Sequence, residues 1–212
     1  MTINSVNLSS LVDYLKNYNN CKLLIVTKNQ KVEDINFLLE NKFQNFGENR
    51  VQEALQKYSD LREKFFFNLH LIGPLQTNKV KTSLQLFDTI QSVDRISLID
   101  EIVKIKNKIQ YIQTKDFYIQ VNIGMEEQKS GVQPSQVKDL HKYCLDKGLN
   151  IKGLMCIPPQ DKDPELFFKQ MIDIKNSILG VNLNLSMGMS NDYKKAILNN
   201  SNLIRIGSLL FQ

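Results

Sequence analysis

The segment LLIVTKNQ, residues 23–30, follows five apolar or β-branched residues with Lys28. Alternation along an extended chain puts Leu24, Val26 and Lys28 on one face. In LIRIGS, residues 203–208, Leu203, Arg205 and Gly207 share a face in the same way. If these faces line a confined interior, each cation needs a partner or a ligand, because an unpaired buried charge is costly. Lysine then offers a chemistry few residues share: with its proton lost through desolvation or neighbouring cations, the amine attacks a carbonyl carbon and forms a Schiff base. Glycines and serines at Ser186-Met187-Gly188 and Gly207-Ser208 offer N–H and hydroxyl donors to an anion, and the short helix expected after Ser190 adds its dipole. The pattern alone leaves an alternative open, in which both faces are reversed or Lys28 and Arg205 pair with Glu48 or Asp94.

These residues must be positioned by elements, and the chain has a regular supply of them. After a helix-like opening (LSSLVDYLKNY), short apolar runs alternate with longer amphipathic ones. KLLIVTK, FQNFGE, FNLHLIG, FDTIQSVD, FYIQVNIG, NIKGLMCIP, VNLNLSMG and NLIRIGSLLF read as eight strands, each but the last followed by a helix. Such alternation implies a parallel sheet, and eight units imply a closed (β/α)8 TIM barrel with an extra N-terminal helix, a single domain over residues 1–212. An open doubly wound sheet is the competing architecture, but it lacks its glycine fingerprint here. Barrel sites lie at the C-terminal ends of the strands. There the unusual residues fall: Lys28, Gly47-Glu48-Asn49, His70 to Pro74, Ser92 to Asp94, Asn122, Met155, Ser186 to Gly188 and Arg205 to Ser208. An aldehyde that carries a phosphate would satisfy both the lysine and the anion-binding turns, and pyridoxal 5′-phosphate (PLP) is such a molecule.

Composition excludes several other classes. A net charge of +5 comes from lysines spread among acids, as in EIVKIKNKIQ, with no basic-aromatic interleaving, so nucleic acid is not an expected partner. Cys21, Cys144 and Cys156 are far apart and odd in number, which argues against a disulfide framework. No run is long and apolar enough for a membrane span, and the N-terminus has no secretory pattern, so a cytoplasmic location is expected. There is no metal-ligand spacing, P-loop or nucleophile elbow. His70, in an apolar strand, reads as a structural histidine. Met155 and Met187 read as packing residues at strand ends that would also border a ligand.

LLIVTKNQ, FGENRVQEA, LHLIGPLQTNKVK, QSVDR, QVNIGMEEQKSGV, GLMCIPP, LSMGMSNDYKKAI and IRIGSLLF together, in order and spacing, resemble the pyridoxal phosphate homeostasis proteins over roughly residues 20 to 211. The resemblance implies a fold-type-III PLP barrel like the N-terminal domain of alanine racemases. It implies Lys28 as the residue that holds PLP in Schiff-base linkage and Asn49 near the cofactor ring. It places Arg205 near the pyridine nitrogen, where a guanidinium that keeps its proton leaves the ring nitrogen unprotonated. It assigns Ser186, Met187, Gly188, Ser190, Gly207 and Ser208 to the phosphate-binding turns. It further implies PLP homeostasis without clear catalytic activity: buffering, carriage and delivery to apoenzymes. Monomer is the expected state. The alternative within this resemblance is a racemase-like PLP enzyme; outside it stands a phosphate-ligand barrel without Schiff-base chemistry. The sequence departs from the family pattern at Leu69, usually an aromatic, at Gln91, where histidine is common, and at Ser208, where threonine is usual.

Overall fold

A computed structural model describes residues 3–180 and 182–211. Val181, where the seventh apolar run begins, and the terminal residues of the 1–212 domain expectation lie outside the described residues.

The strands are β1 (Lys22–Val26), β2 (Asn45–Glu48), β3 (Asn68–Leu71), β4 (Thr89–Val93), β5 (Asp116–Val121), β6 (Ile151–Cys156), β7 (Asn184–Ser186) and β8 (Leu203–Ile206). They pair in parallel in sequence order and close on themselves, with Leu24 of β1 opposite Arg205 of β8. The (β/α)8 barrel expected from alternation is thus what forms, and the open sheet is not. The crossover helices are α2 (Val32–Glu40), α3 (Val51–Tyr58), α4 (Val80–Leu86), α5 (Ile96–Lys106), α6 (Val137–Asp146), α7 (Pro164–Ser177) and α8 (Tyr193–Leu198). The extra helix α1 (Ser5–Leu15) precedes β1. Among the described residues no helix is long and apolar enough to cross a membrane.

Local chemistry sets the ends of these helices. Asn4 caps α1 by accepting the N–H of Asn7, and Asp163 caps α7 by accepting that of Glu165, with Pro164 in the first helical turn. α6 stops before Gly148, whose φ of +71° suits glycine at a helix C-terminus.

The period of two in the strands divides the buried residues into two sets. Ile25, Phe46, Leu71, Ile119, Leu154 and Ile204 join the main apolar cluster with the helices. Leu24, Val26, Tyr118, Met155 and Leu203 are buried but stand apart from that cluster, inside the barrel. In β5 and the residue after it the division is residue by residue: Phe117, Ile119 and Val121 face the helices while Tyr118, Gln120 and Asn122 alternate with them. The interior is therefore partly polar, with His70, Gln91, Gln120 and Arg205 all nearly inaccessible.

Candidate functional site

β1 ends at Val26, so Lys28 continues the inward face one step beyond the ladder, and its side chain is exposed at the barrel mouth. The turn that carries it is held from the outside. Thr27 lies on the opposite face. Its hydroxyl donates to Glu48 Oε1 at 2.8 Å and lies 2.6 Å from the Tyr58 hydroxyl. Lys57 of α3 donates to the Thr27 carbonyl at 2.7 Å, to Glu48 at 3.1 Å and to Glu53. Glu53 also accepts the N–H of Asn29, which sits in the left-handed region at φ +60°. One ammonium and two carboxylates thus grip the residues on both sides of Lys28. Burial raises the Glu48 carboxyl despite Lys57, whereas for Glu53 burial is outweighed by the Lys57 and Asn29 hydrogen bonds, so its pKa falls.

Arg205 is the second feature. It is 4% exposed. Nη1 donates to the Ser186 carbonyl at 2.6 Å and to Ser186 Oγ at 2.9 Å, and Nη2 donates to the Cys156 carbonyl at 2.7 Å. Among the described residues no hydrogen bond uses its Nε and no carboxylate forms a salt bridge with it. Glu48 pairs instead with Lys57, and Asp94 with Arg95. The arrangement in which Lys28 and Arg205 are neutralised by Glu48 or Asp94 is therefore absent. Burial lowers the Arg205 pKa, against the pull of Cys156 and Asp192. A buried guanidinium with its terminal nitrogens fixed to neutral carbonyls and a hydroxyl keeps two N–H groups, on Nε and Nη2, outside these bonds, and suits a neutral acceptor as well as a carboxylate.

The glycine turns meet between β1, β7 and β8. A Cβ on Gly207 would stand 3.2 Å from Val26 Cβ, so this turn lies against the strand that leads to Lys28. Gly188, at φ +98°, packs where a Cβ would come within 2.5 Å of Ala196 Cβ. Ser190 Oγ accepts the N–H of Leu209 at 3.3 Å and ties the two turns together. Among the described residues no hydrogen bond uses the N–H of Ser190, Asn191, Gly207 or Ser208. Free donors on adjoining turns are an arrangement that suits an anion.

The other expected residues separate into groups. Asn49 lies just past β2, half-buried, and a Cβ on Gly73 would stand 2.2 Å from its carbonyl, so the ends of β2 and β3 are in backbone contact. Asn49 also lines a cavity of about 300 Å³ with Ile72, Gln120, Asn122 and Lys129. A larger groove, about 700 Å³ and lined by Arg50, Glu53, Gln56 and Lys79 besides Asn49, touches neither Lys28 nor Arg205. Met155 is fully buried inside the barrel. Met187 packs in the outer apolar cluster, leaving only its backbone to the turn. Ser186 is committed through Oγ to Arg205 and to Gln91, and so belongs with the arginine rather than the anion turns. Lys57, Glu53 and the Cys156 carbonyl were not singled out from sequence, and Gln91 stood out only as a departure from the family pattern, with no role given to it. Lys57, four residues after Glu53 on the same helix, reads as an ordinary surface ion pair and carries no motif, and the others act through partners distant in the chain.

The sequence profile of the alanine racemase N-terminal domain family matches residues 5–212. The pyridoxal phosphate homeostasis protein of Aquifex aeolicus is 40% identical over 201 residues, 91% of this chain and 87% of that one. PipY of Synechococcus elongatus, solved without PLP, superposes with a TM-score of 0.87 at 29% identity over 97% of this chain and 98% of that one. PipY with PLP bound gives 0.85 at 28% identity, with the same coverage. The alanine racemase of Clostridium difficile shares the barrel alone, at 17% identity and a TM-score of 0.75, and this chain covers 56% of it. A profile match over nearly the whole chain and close agreement in both sequence and barrel geometry place the chain in the pyridoxal phosphate homeostasis protein family.

Proposed function

We propose that the chain binds PLP at the mouth of its barrel for cofactor homeostasis, holding it through Lys28, without a catalytic cycle of its own. PLP supplies an aldehyde that a lysine amine links as a Schiff base with loss of water, a neutral ring nitrogen and a phosphate dianion. Lys28 supplies the amine. Arg205 Nε–H is among the donors left and would face the ring nitrogen; a guanidinium that keeps its proton would leave that nitrogen unprotonated and a weak electron sink. The free N–H groups of Ser190, Gly207 and Ser208, with Gly188 giving close backbone approach, meet the phosphate. Asn49 and Met155 border the ring.

The observation that carries this reading is Arg205: a buried cation without a carboxylate, on the strand paired with the one that leads to Lys28. The exposure of Lys28 favours carriage over permanent retention, since water and an acceptor amine reach the linkage from the mouth. On this reading the loaded protein passes PLP to apoenzymes in transient encounters, as a monomer in the cytoplasm.

The test is to incubate the protein with PLP, record its absorbance, reduce with borohydride, digest and locate the adduct by mass spectrometry. A pyridoxyl group on Lys28, absent from Lys28→Ala, is the expected result. Random modification of surface lysines with Lys28 untouched would leave only a phosphate-ligand barrel. Racemase activity measured on the same preparation is expected to be absent.

A further inference from the structure

Inside the barrel, a line of side chains continues inward from Arg205. Ser186 Oγ lies 2.7 Å from Gln91 Oε1, and Gln91 Nε2 lies 2.8 Å from His70 Nδ1. Ser186, Gln91 and His70 come from β7, β4 and β3, and all are buried. The direction of every proton in this line follows from its first member. Arginine only donates, so Ser186 Oγ accepts from Nη1, and its own proton must go to another acceptor. Gln91 Oε1 is that acceptor, which turns the Gln91 amide group toward His70 as a donor. His70 Nδ1 must then accept, which leaves the imidazole neutral with its proton on Nε2.

We propose that Gln91 and His70 are positioning residues for Arg205: they form with Ser186 a one-way hydrogen-bond chain that fixes the guanidinium, and through it the hold on the cofactor ring. Each donor in such a chain is polarised by the one before it, and a low-dielectric interior strengthens the whole. A non-polar residue at 91 would leave the Ser186 proton without its acceptor, free Ser186 to turn, and loosen one of the guanidinium's anchors. The charged groups whose fields reach His70 are Asp88, which favours its protonation, and Lys22, which opposes it. Neither hydrogen-bonds to the ring among the described residues.

The proposal rests on the PLP reading of Arg205, so its test has one arm that needs no cofactor. In the unloaded protein, long-range ¹H–¹⁵N correlation spectra distinguish the His70 and His141 tautomers. His70 is expected to carry its proton on Nε2 at neutral pH, and Ser186→Ala is expected to make it a mixture of tautomers, because Gln91 is then free to flip. A proton on Nδ1 in the wild type, or a tautomer indifferent to Ser186→Ala, overturns the chain whatever PLP does. In the second arm, Gln91→Leu and Gln91→Glu are loaded with PLP and the Lys28 adduct is checked by borohydride trapping. Gln91→Leu is expected to keep the Lys28 adduct but to hold PLP about tenfold more weakly and shift its absorbance band, the size expected for a lost buried hydrogen bond. Gln91→Glu still accepts from Ser186, so it is expected to restore affinity and band while moving the His70 proton to Nδ1. If Gln91→Leu matches the wild type in band and affinity while losing only thermal stability, the residue is structural and the positioning role is wrong. Absence of a Lys28 adduct in the wild type defeats the PLP reading and leaves the first arm to decide the chain.

Discussion

Lys57 holds more than its exposure suggests. It is the counter-ion of Glu48, whose side chain is fully buried and whose Oε2 has no hydrogen-bond partner among the described residues. Glu48 has its pKa raised by burial even with Lys57 in place, so removing the ammonium leaves a carboxyl that must either protonate or unfold its surroundings. Lys57→Met is expected to cost about 3 kcal/mol in urea unfolding, the penalty of breaking one side of a buried pair. Adding Glu48→Gln in the same chain is expected to recover most of it, because the stranded charge is gone. The same variant frees the Thr27 carbonyl and leaves Glu53 alone on Asn29, so borohydride trapping at Lys28 is expected to slow in Lys57→Met even where the protein stays folded. Trapping at the wild-type rate would show that the grip on the turn has no bearing on the lysine.

At the scale of elements, contact between strand ends decides the outcome. Gly73 follows β3 and leaves no room for a side chain: a Cβ there would lie 2.2 Å from the Asn49 carbonyl oxygen, a backbone atom that no rotamer change can move aside. Gly73→Ala is therefore expected to push the β2 and β3 ends apart, with a loss of about 1–3 kcal/mol typical of overpacking. A thermal-unfolding series with and without PLP would check it, with a smaller PLP-induced shift expected as Asn49 moves. The barrel itself was legible in the sequence, because strands buried on both faces and amphipathic helices carry different periods. The extent of β7 was not: VNLNLSMG reads as a long strand, whereas only Asn184–Ser186 pairs among the described residues. The candidate site was legible where chemistry and strand end coincide, as at Lys28, Arg205 and the glycine turns. It was illegible where a role depends on a partner far along the chain. Ser186 looks like part of an anion turn until its bond to Gln91, 95 residues away, is seen. Glu48 and Asp94 could not be told from partners of Lys28 until helix α3 brought Lys57 to one and Arg95 claimed the other.

For the molecule as a whole, the neutral histidine in the interior sets a response to acid. Burial is the main cause that lowers the His70 pKa, to about 4 from the usual 6.5, with Asp88 opposing and Lys22 assisting. Between these values the unfolded chain takes up a proton that the folded one refuses, so stability is complete above about pH 6.5 and is lost as pH falls toward about 4. The loss from this one group is on the order of 3 kcal/mol. His70→Gln is expected to shrink the difference in urea stability between pH 7 and pH 4.5, read as a difference so that any cost of the substitution itself cancels. His141, also lowered by burial, keeps part of the slope in that variant. An unchanged slope would mean His70 is protonated in the native protein. The seam of the barrel has a further consequence, for synthesis. β1 pairs with β8, Ile3 bridges Phe211, and the N–H of Asn4 and the side chain of Asn7 bond the Leu210 and Leu209 carbonyls. Leu209 is also the residue that holds Ser190. Residues 3–7 thus find these neighbours only when residues about 200 positions later are in place, and the tie between the two glycine turns forms only then as well. A chain interrupted before residue 209 has its lysine but lacks the contacts that fasten residues 4, 7 and 190, so on the proposed reading such a fragment would hold PLP poorly.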